Sequence, residues 1–272
     1  MKKQPMRKIS LVLIFLSAFF LALMPAPATA QDLGEFFWGG GDEALFSSNN
    51  VPYDGSFVFL RMRFTPSSHR GRGGGYFDGI NYQWDHDYPR AEQNFLQIMS
   101  ELTDVDADPG KHNILSVGDP EIFKYPFGFI VEPGYLTLTG DEAANLRAYL
   151  LKGGFLVFDD FAGDWQLGTF LDQMRKVLPE VRPVMLDPSH PIFSAFFEID
   201  SLEFYHPYRG VPSRFIGYYE DNDPSKRLMA VANYNNDIME SWEFSDTGFI
   251  SIELSNVAYQ LGVNYVIYSM TH

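Results

Sequence analysis

The chain has 272 residues, 46% hydrophobic and 20% charged, a composition that excludes disordered and fibrous proteins and allows one large or two small globular domains. It carries 20 Lys and Arg against 35 Asp and Glu, a formal net charge of −15, and no cysteine. The acidic balance repels nucleic-acid phosphates and anionic lipid surfaces, and the missing thiols exclude disulfides, zinc fingers, iron–sulfur ligation and a cysteine nucleophile.

The first element reads as an export signal. Lys2, Lys3, Arg7 and Lys8 precede the apolar run 9–24, and Ala28-Thr29-Ala30 supplies a small-residue cleavage pattern. The run is about 16 residues, short of the roughly 20 that a spanning helix needs, so residues 1–30 are expected to be removed. The mature chain is then expected to be periplasmic or extracellular, with 16 basic residues against 35 acidic ones, a net of −19, and no membrane span.

Residues 31–56 are rich in Gly, Asn, Asp and Ser and read as a flexible leader. Phe57-Val58-Phe59-Leu60-Arg61-Met62-Arg63-Phe64 reads as a first strand, followed by a polar stretch with Arg70-Gly71-Arg72-Gly73-Gly74-Gly75. Asp87 before Tyr88-Pro89 suggests a helix cap, and Phe95, Leu96, Met99 and Leu102 recur at helical spacing. Strands are predicted at 114–117 and 127–131, the second broken off by Glu132-Pro133-Gly134. Thr139-Gly140-Asp141-Glu142 predicts a capping box opening a helix with Ala143, Leu146 and Leu150 inward, stopped by Gly153-Gly154. Phe155-Leu156-Val157-Phe158 is apolar without alternation, as in a strand buried on both faces. A helix at about 167–178, strands at 184–186, 215–219 and 228–232, and a last helix carrying Leu254, Val257, Ala258, Leu261 and Tyr265 complete the chain. The alternation predicts an open α/β sheet, mostly parallel with helices on both faces, over one domain at 57–272.

Trp84-Asp85-His86-Asp87-Tyr88-Pro89, the run from Leu150-Leu151-Lys152-Gly153-Gly154 through Asp159-Asp160-Phe161, His190-Pro191-Ile192-Phe193 and Leu261-Gly262-Val263-Asn264-Tyr265 resemble a bacterial envelope family known as domain of unknown function 4159. The resemblance covers about residues 57–272 and implies the class I glutamine-amidotransferase-like (flavodoxin-like) architecture. It carries no established activity. One departure is chemical: amidotransferases of that fold use a cysteine nucleophile, and this chain has none, nor a Gly-x-Ser-x-Gly elbow in its place.

In open α/β sheets ligands bind outside the carboxyl ends of the strands. That rule selects Arg63, Glu132, Asp159 and Asp160; converging carboxylates there would form a general acid/base pair or hold a divalent cation through oxygen. The competing reading makes Asp159 or Asp160 a helix cap and Glu132 a solvated side chain. Trp84, Asp85 and His86 add an aromatic platform and polar groups, with His86 a candidate base and His190 a candidate at the crevice rim or a helix entry. No His-Glu-x-x-His or similar short chelating pair exists, so a catalytic zinc site is not expected, and no cofactor is expected beyond such a cation. Trp84, Trp165 and Trp242 are candidates for stacking on sugar. The expected function is a non-catalytic ligand-binding or assembly module of the envelope, with an envelope protein or a carbohydrate-like molecule as partner. The alternative is a carbohydrate-active hydrolase or lyase using Asp159, Asp160, Glu132 and His86.

Overall fold

Short apolar runs without a helical period become strands, and those apolar on both sides lie mid-sheet. In the computed structural model, which describes residues 50–66, 83–206 and 208–272, nine strands form. They are β1 (Phe59–Arg63), β2 (Thr65–Pro66), β3 (His112–Ser116), β4 (Phe127–Val131), β5 (Leu136–Thr137), β6 (Phe155–Phe161), β7 (Val184–Met185), β8 (Arg214–Tyr219) and β9 (Leu228–Tyr234). Seven make one sheet in the order β3-β1-β4-β6-β9-β8-β7, and β2 pairs with β5 apart from it. The first five of that order run parallel, whereas β8 is antiparallel to β9 and β7 antiparallel to β8.

Among the described residues five α-helices accompany the sheet: α1 (Arg90–Leu102), α2 (Gly140–Leu151), α3 (Gly163–Val177), α4 (Ile238–Glu243) and α5 (Ile252–Thr271). Successive strand residues point to opposite faces. Phe59, Phe129, Phe155 and Val157 share one core with Phe95 of α1, Trp242 of α4 and Tyr265 of α5. On the other face Phe158 meets Phe170 of α3 edge-on at 4.9 Å. Each ring so buried contributes about 1.5–3 kcal/mol, so both helical layers are held on by strand side chains. Among the described residues no helix is long and apolar enough to cross a membrane.

Local signals explain the helix ends. Thr139 Oγ1 accepts the Glu142 N–H at 3.2 Å while Glu142 Oε2 accepts the Thr139 N–H at 2.8 Å, the expected capping box. Gly153, at φ +112°, ends α2 in a conformation that a Cβ would oppose. Elsewhere the structure departs from expectation. Asp87 does not cap α1 with its side chain; the helix follows Pro89, and Asp87 sits at φ +65°. α3 starts at Gly163, about four residues earlier than its apolar stripe suggests. The leader is not free up to residue 56: Asn50 exchanges two 2.8 Å hydrogen bonds with the Ile114 backbone, and the Val51 N–H donates to Asn113 Oδ1 at 2.7 Å. All described residues fall in one unit that begins at Ser47. The signal at 1–30 and the glycine run at 70–75 lie outside the described residues.

The strand order also fixes where a crevice opens. From β1 the chain passes through α1 to β3 on one side, then returns past β1 to β4 on the other. The reversal leaves the carboxyl ends of β1 and β4 without a crossing connection between them, the usual place for a ligand in such a sheet.

Candidate functional site

Three side chains converge at that reversal. His86 lies in the turn between β1 and α1, Glu132 follows β4 directly, and Asp160 lies near the end of β6, where the register with β9 shifts between Phe158 and Phe161. His86 Nδ1 is 2.7 Å from Glu132 Oε1 and 4.0 Å from Asp160 Oδ2. The three are 29%, 13% and 19% exposed, so they are sheltered yet reachable. Glu132 (φ +48°) and Asp160 (φ +56°) both occupy the left-handed region, as does Asp87 beside His86. Such strain in non-glycine residues persists only where the surroundings enforce it, and it gathers at functional sites.

The surroundings do enforce it. Arg61 projects from β1 toward α1 and is 1% exposed. Its Nε donates to Glu92 Oε1 at 2.5 Å, and its Nη1 donates to the carbonyls of Trp84 (2.9 Å) and His86 (2.7 Å), fixing the backbone that carries the histidine. The Glu132 N–H donates to the Asp159 carbonyl at 3.0 Å, tying the end of β4 to β6. The turn after Glu132 then packs closely: a Cβ on Gly134 would stand 2.5 Å from the Gln166 side chain, whose Oε1 accepts the Ala162 N–H.

Asp159, fully buried, is committed elsewhere. Its Oδ1 accepts from Asn233 Nδ2 at 2.8 Å and its Oδ2 from the N–H groups of Ile238 (2.8 Å) and Met239 (3.2 Å) at the start of α4. Burial pushes its carboxyl up to about 6 against these hydrogen bonds. Around the triad stand further acids. Asp237 caps α4 by accepting the Glu240 N–H at 3.0 Å, and Glu240 accepts a hydrogen bond from the Tyr208 hydroxyl. Burial first, then Glu132 and Asp87, drives the Asp160 carboxyl well above the usual carboxylate range. Asp87 and Asp237 are raised likewise, by burial and then by acidic neighbours. Burial, the largest single influence, opposes charging of His86, but the hydrogen bond to Glu132 together with the charges of Glu132 and Asp85 outweighs it and holds the ring above the usual imidazole value.

Residues 75–270, which hold all of these groups except Arg61, match the family model described as Domain of unknown function (DUF4159). The chain belongs to that family. No curated protein matched in the corresponding search.

Within this DUF4159 chain the structure sorts the sequence-selected residues. His86, Glu132 and Asp160 come together. Asp85 is half-buried in the turn before His86, and its charge favours the protonated ring. Arg63 ends β1 half-buried, its carbonyl accepting the Val117 N–H. Neither Asp159 nor Asp160 caps the helix that follows them, which starts after Ala162. Trp84 (4%) and Trp242 (0%) are buried and offer no stacking face; Trp165 is 54% exposed and packs edge-on against Tyr135 at 5.4 Å. His190 does not reach the crevice. Its ring lies 5.9 Å from Tyr268, which contacts Phe155 at the amino end of β6, and its Nδ1 accepts the Ile192 N–H in a short 3-10 turn. Sequence reasoning did not select Arg61, Asp87, Asp237 or Glu240. One signal was present for Arg61: a charged residue on the same strand face as Phe59 must be buried, and a buried charge demands a partner.

Proposed function

We propose that this exported chain is a hydrolase or lyase whose reacting centre is His86, Glu132 and Asp160, on a flavodoxin-like sheet of the amidotransferase type. Export is supported by the basic, apolar and small-residue pattern at the amino terminus. The fold reading is supported by the strand order: taken in chain order, β3-β1-β4-β6-β9 is the 2-1-3-4-5 arrangement. Thiol-based amidotransfer is ruled out, since the chain has no cysteine.

The observation that carries the enzyme reading is the 2.7 Å contact between His86 and Glu132 with Asp160 beside them. A non-catalytic module does not require strained backbone at two converging carboxylates. A carboxylate that orients an imidazole stabilises its protonated form, so the pair can draw a proton from a water or a substrate hydroxyl. Asp160 is held toward its neutral form and can give a proton to a leaving group; environments that push neighbouring groups apart in this way define an acid and a base. The negative surroundings disfavour anionic substrates. Exposed Tyr208 donates to Glu240, and exposed Trp165 packs on Tyr135, three residues beyond Glu132; such rings suit a neutral, carbohydrate-like substrate stacked by its sugar faces.

Chromogenic glycosides and acetyl esters provide the test. Turnover is expected to fall about 10²–10⁴-fold in Glu132→Gln and in His86→Asn, and in Glu132→Gln the His86 ring, followed by NMR, should titrate at a lower pH than in wild type. Unchanged turnover together with an unchanged His86 titration would remove the dyad from any catalytic role.

A further inference from the structure

We propose that His86 Nδ1, Glu132 Oε1 and Asp160 Oδ2 together hold one divalent transition-metal ion, of the zinc or manganese class. The inference deepens the reading above and rests on the same crevice: with the ion bound, His86 Nδ1 and the two carboxylates ligate it in their deprotonated forms, and the ion takes over from the His86–Glu132 base and the Asp160 acid in activating the reacting water. The three ligand atoms lie within 4.8 Å of one another. Bonds of roughly 2.0–2.2 Å to one metal place neighbouring ligand atoms about 3–3.5 Å apart, and the observed separations of 2.7 and 4.0 Å straddle that range. Closing the longer gap needs only a side-chain adjustment at Asp160.

The donor set argues for the class of ion. One imidazole nitrogen and two carboxylate oxygens suit zinc, manganese or iron, whereas calcium and magnesium favour all-oxygen shells. Three protein ligands with a partly exposed face match catalytic rather than closed structural sites, because a position stays open for water. Bound water of this kind ionises near neutral pH, which would supply the nucleophile.

The environment argues for a cation independently of the ligands. Asp87, next in the chain to His86, has one carboxylate oxygen that is buried and finds no hydrogen-bond partner among the described residues. The nearby positive charge, Arg61, is already matched by Glu92. A divalent ion is the species that relieves this excess. The ligands are also pre-positioned from behind: Arg61 holds the His86 carbonyl, and the Glu132 N–H is fixed to the Asp159 carbonyl.

Calorimetric titration of the purified protein with zinc, manganese and magnesium chlorides at near-neutral pH tests this. One zinc or manganese ion per chain is expected, bound about tenfold or more tighter than magnesium. The affinity should fall by about tenfold or more in Glu132→Gln, Asp160→Asn and His86→Asn, and be retained in Asp172→Asn, whose carboxylate pairs with Arg175 on the exposed side of α3. Since a variant can lose the site by misfolding, wild type carries a second arm. Substoichiometric manganese should broaden the His86 ring resonances before those of His190 at the far end of the sheet. Absent binding, equal affinity in all variants, or simultaneous broadening of both histidines overturns the metal site. Turnover that persists in excess EDTA also overturns it while leaving the hydrolase reading intact; metal binding without turnover of either substrate class counts against the hydrolase and leaves the metal site standing.

Discussion

Asp160 shows how much stability the site costs the fold. Burial, then Glu132 and Asp87, raises its carboxyl well above the ordinary aspartate value of 3.8. Below that value both folded and unfolded chains are protonated and nothing is lost. As pH rises past it the unfolded chain ionises while the folded one resists, so stability falls until the pH passes the folded value. Asp160→Asn removes the penalty and keeps a residue that tolerates φ +56°. In chelating buffer the variant is expected to melt close to wild type at about pH 4 and several degrees above it at about pH 8, each kcal/mol being about 2–4 °C at this size. A difference that does not vary with pH would show that Asp160 is not held away from its charged form. Glu132 and Asp160 were legible because each stands at or just beyond a strand end, where a general rule points, and His86 because it sits in the aromatic and polar cluster Trp84-Asp85-His86. Asp237 and Glu240 were not, since that rule reads along the chain from each strand and is silent on which later helix folds back over the crevice.

At the scale of elements, α4 is where a strand-end acid turns structural. With only six residues, α4 has little intrinsic stability. Asp159 compensates by accepting the N–H groups of Ile238 and Met239, and Asn233, itself receiving the Tyr265 hydroxyl, completes the link to α5. Asp159→Ala would leave those donors buried without partners, at about 1–3 kcal/mol each, so a fall in melting temperature of roughly 5–10 °C is expected by calorimetry. A fall under about 2 °C would mean that α4 is anchored by the packing of Trp242 alone. The sequence made the strands and the α2 cap readable because both signals are local: an apolar run in one case, a Thr and a Glu three apart in the other. It did not reveal that β8 runs antiparallel, because strand direction depends on the whole path back to the sheet. Nor did it reveal Asp159's role, since its partners lie 74 to 80 residues away.

For the whole molecule, the boundary of the folded unit is the feature that composition misjudged. Residues rich in Gly, Asn, Asp and Ser read as linker, yet Asn50 and Val51 bond to β3 at the edge of the sheet. Asn113 answers them, its Nδ2 donating to the Val51 carbonyl at 2.8 Å and to the Tyr125 hydroxyl at the same distance. Asparagine does this well because its amide copies a backbone group, giving the edge strand a partner without another strand. Each such bond contributes about 0.5–1.5 kcal/mol net, offset by about 1–2 kcal/mol for every residue ordered. The balance is favourable only if the Tyr53 ring, 4.9 Å from that of Tyr125, adds apolar burial. A chain beginning at Ser47 is therefore expected to melt like the longer protein. One beginning at Phe57 should melt several degrees lower and show faster amide exchange at Asn113 and Ile114. Equal melting of the two would place the true edge of the fold at β1 and reduce the Asn50 and Val51 contacts to a loosely held strap.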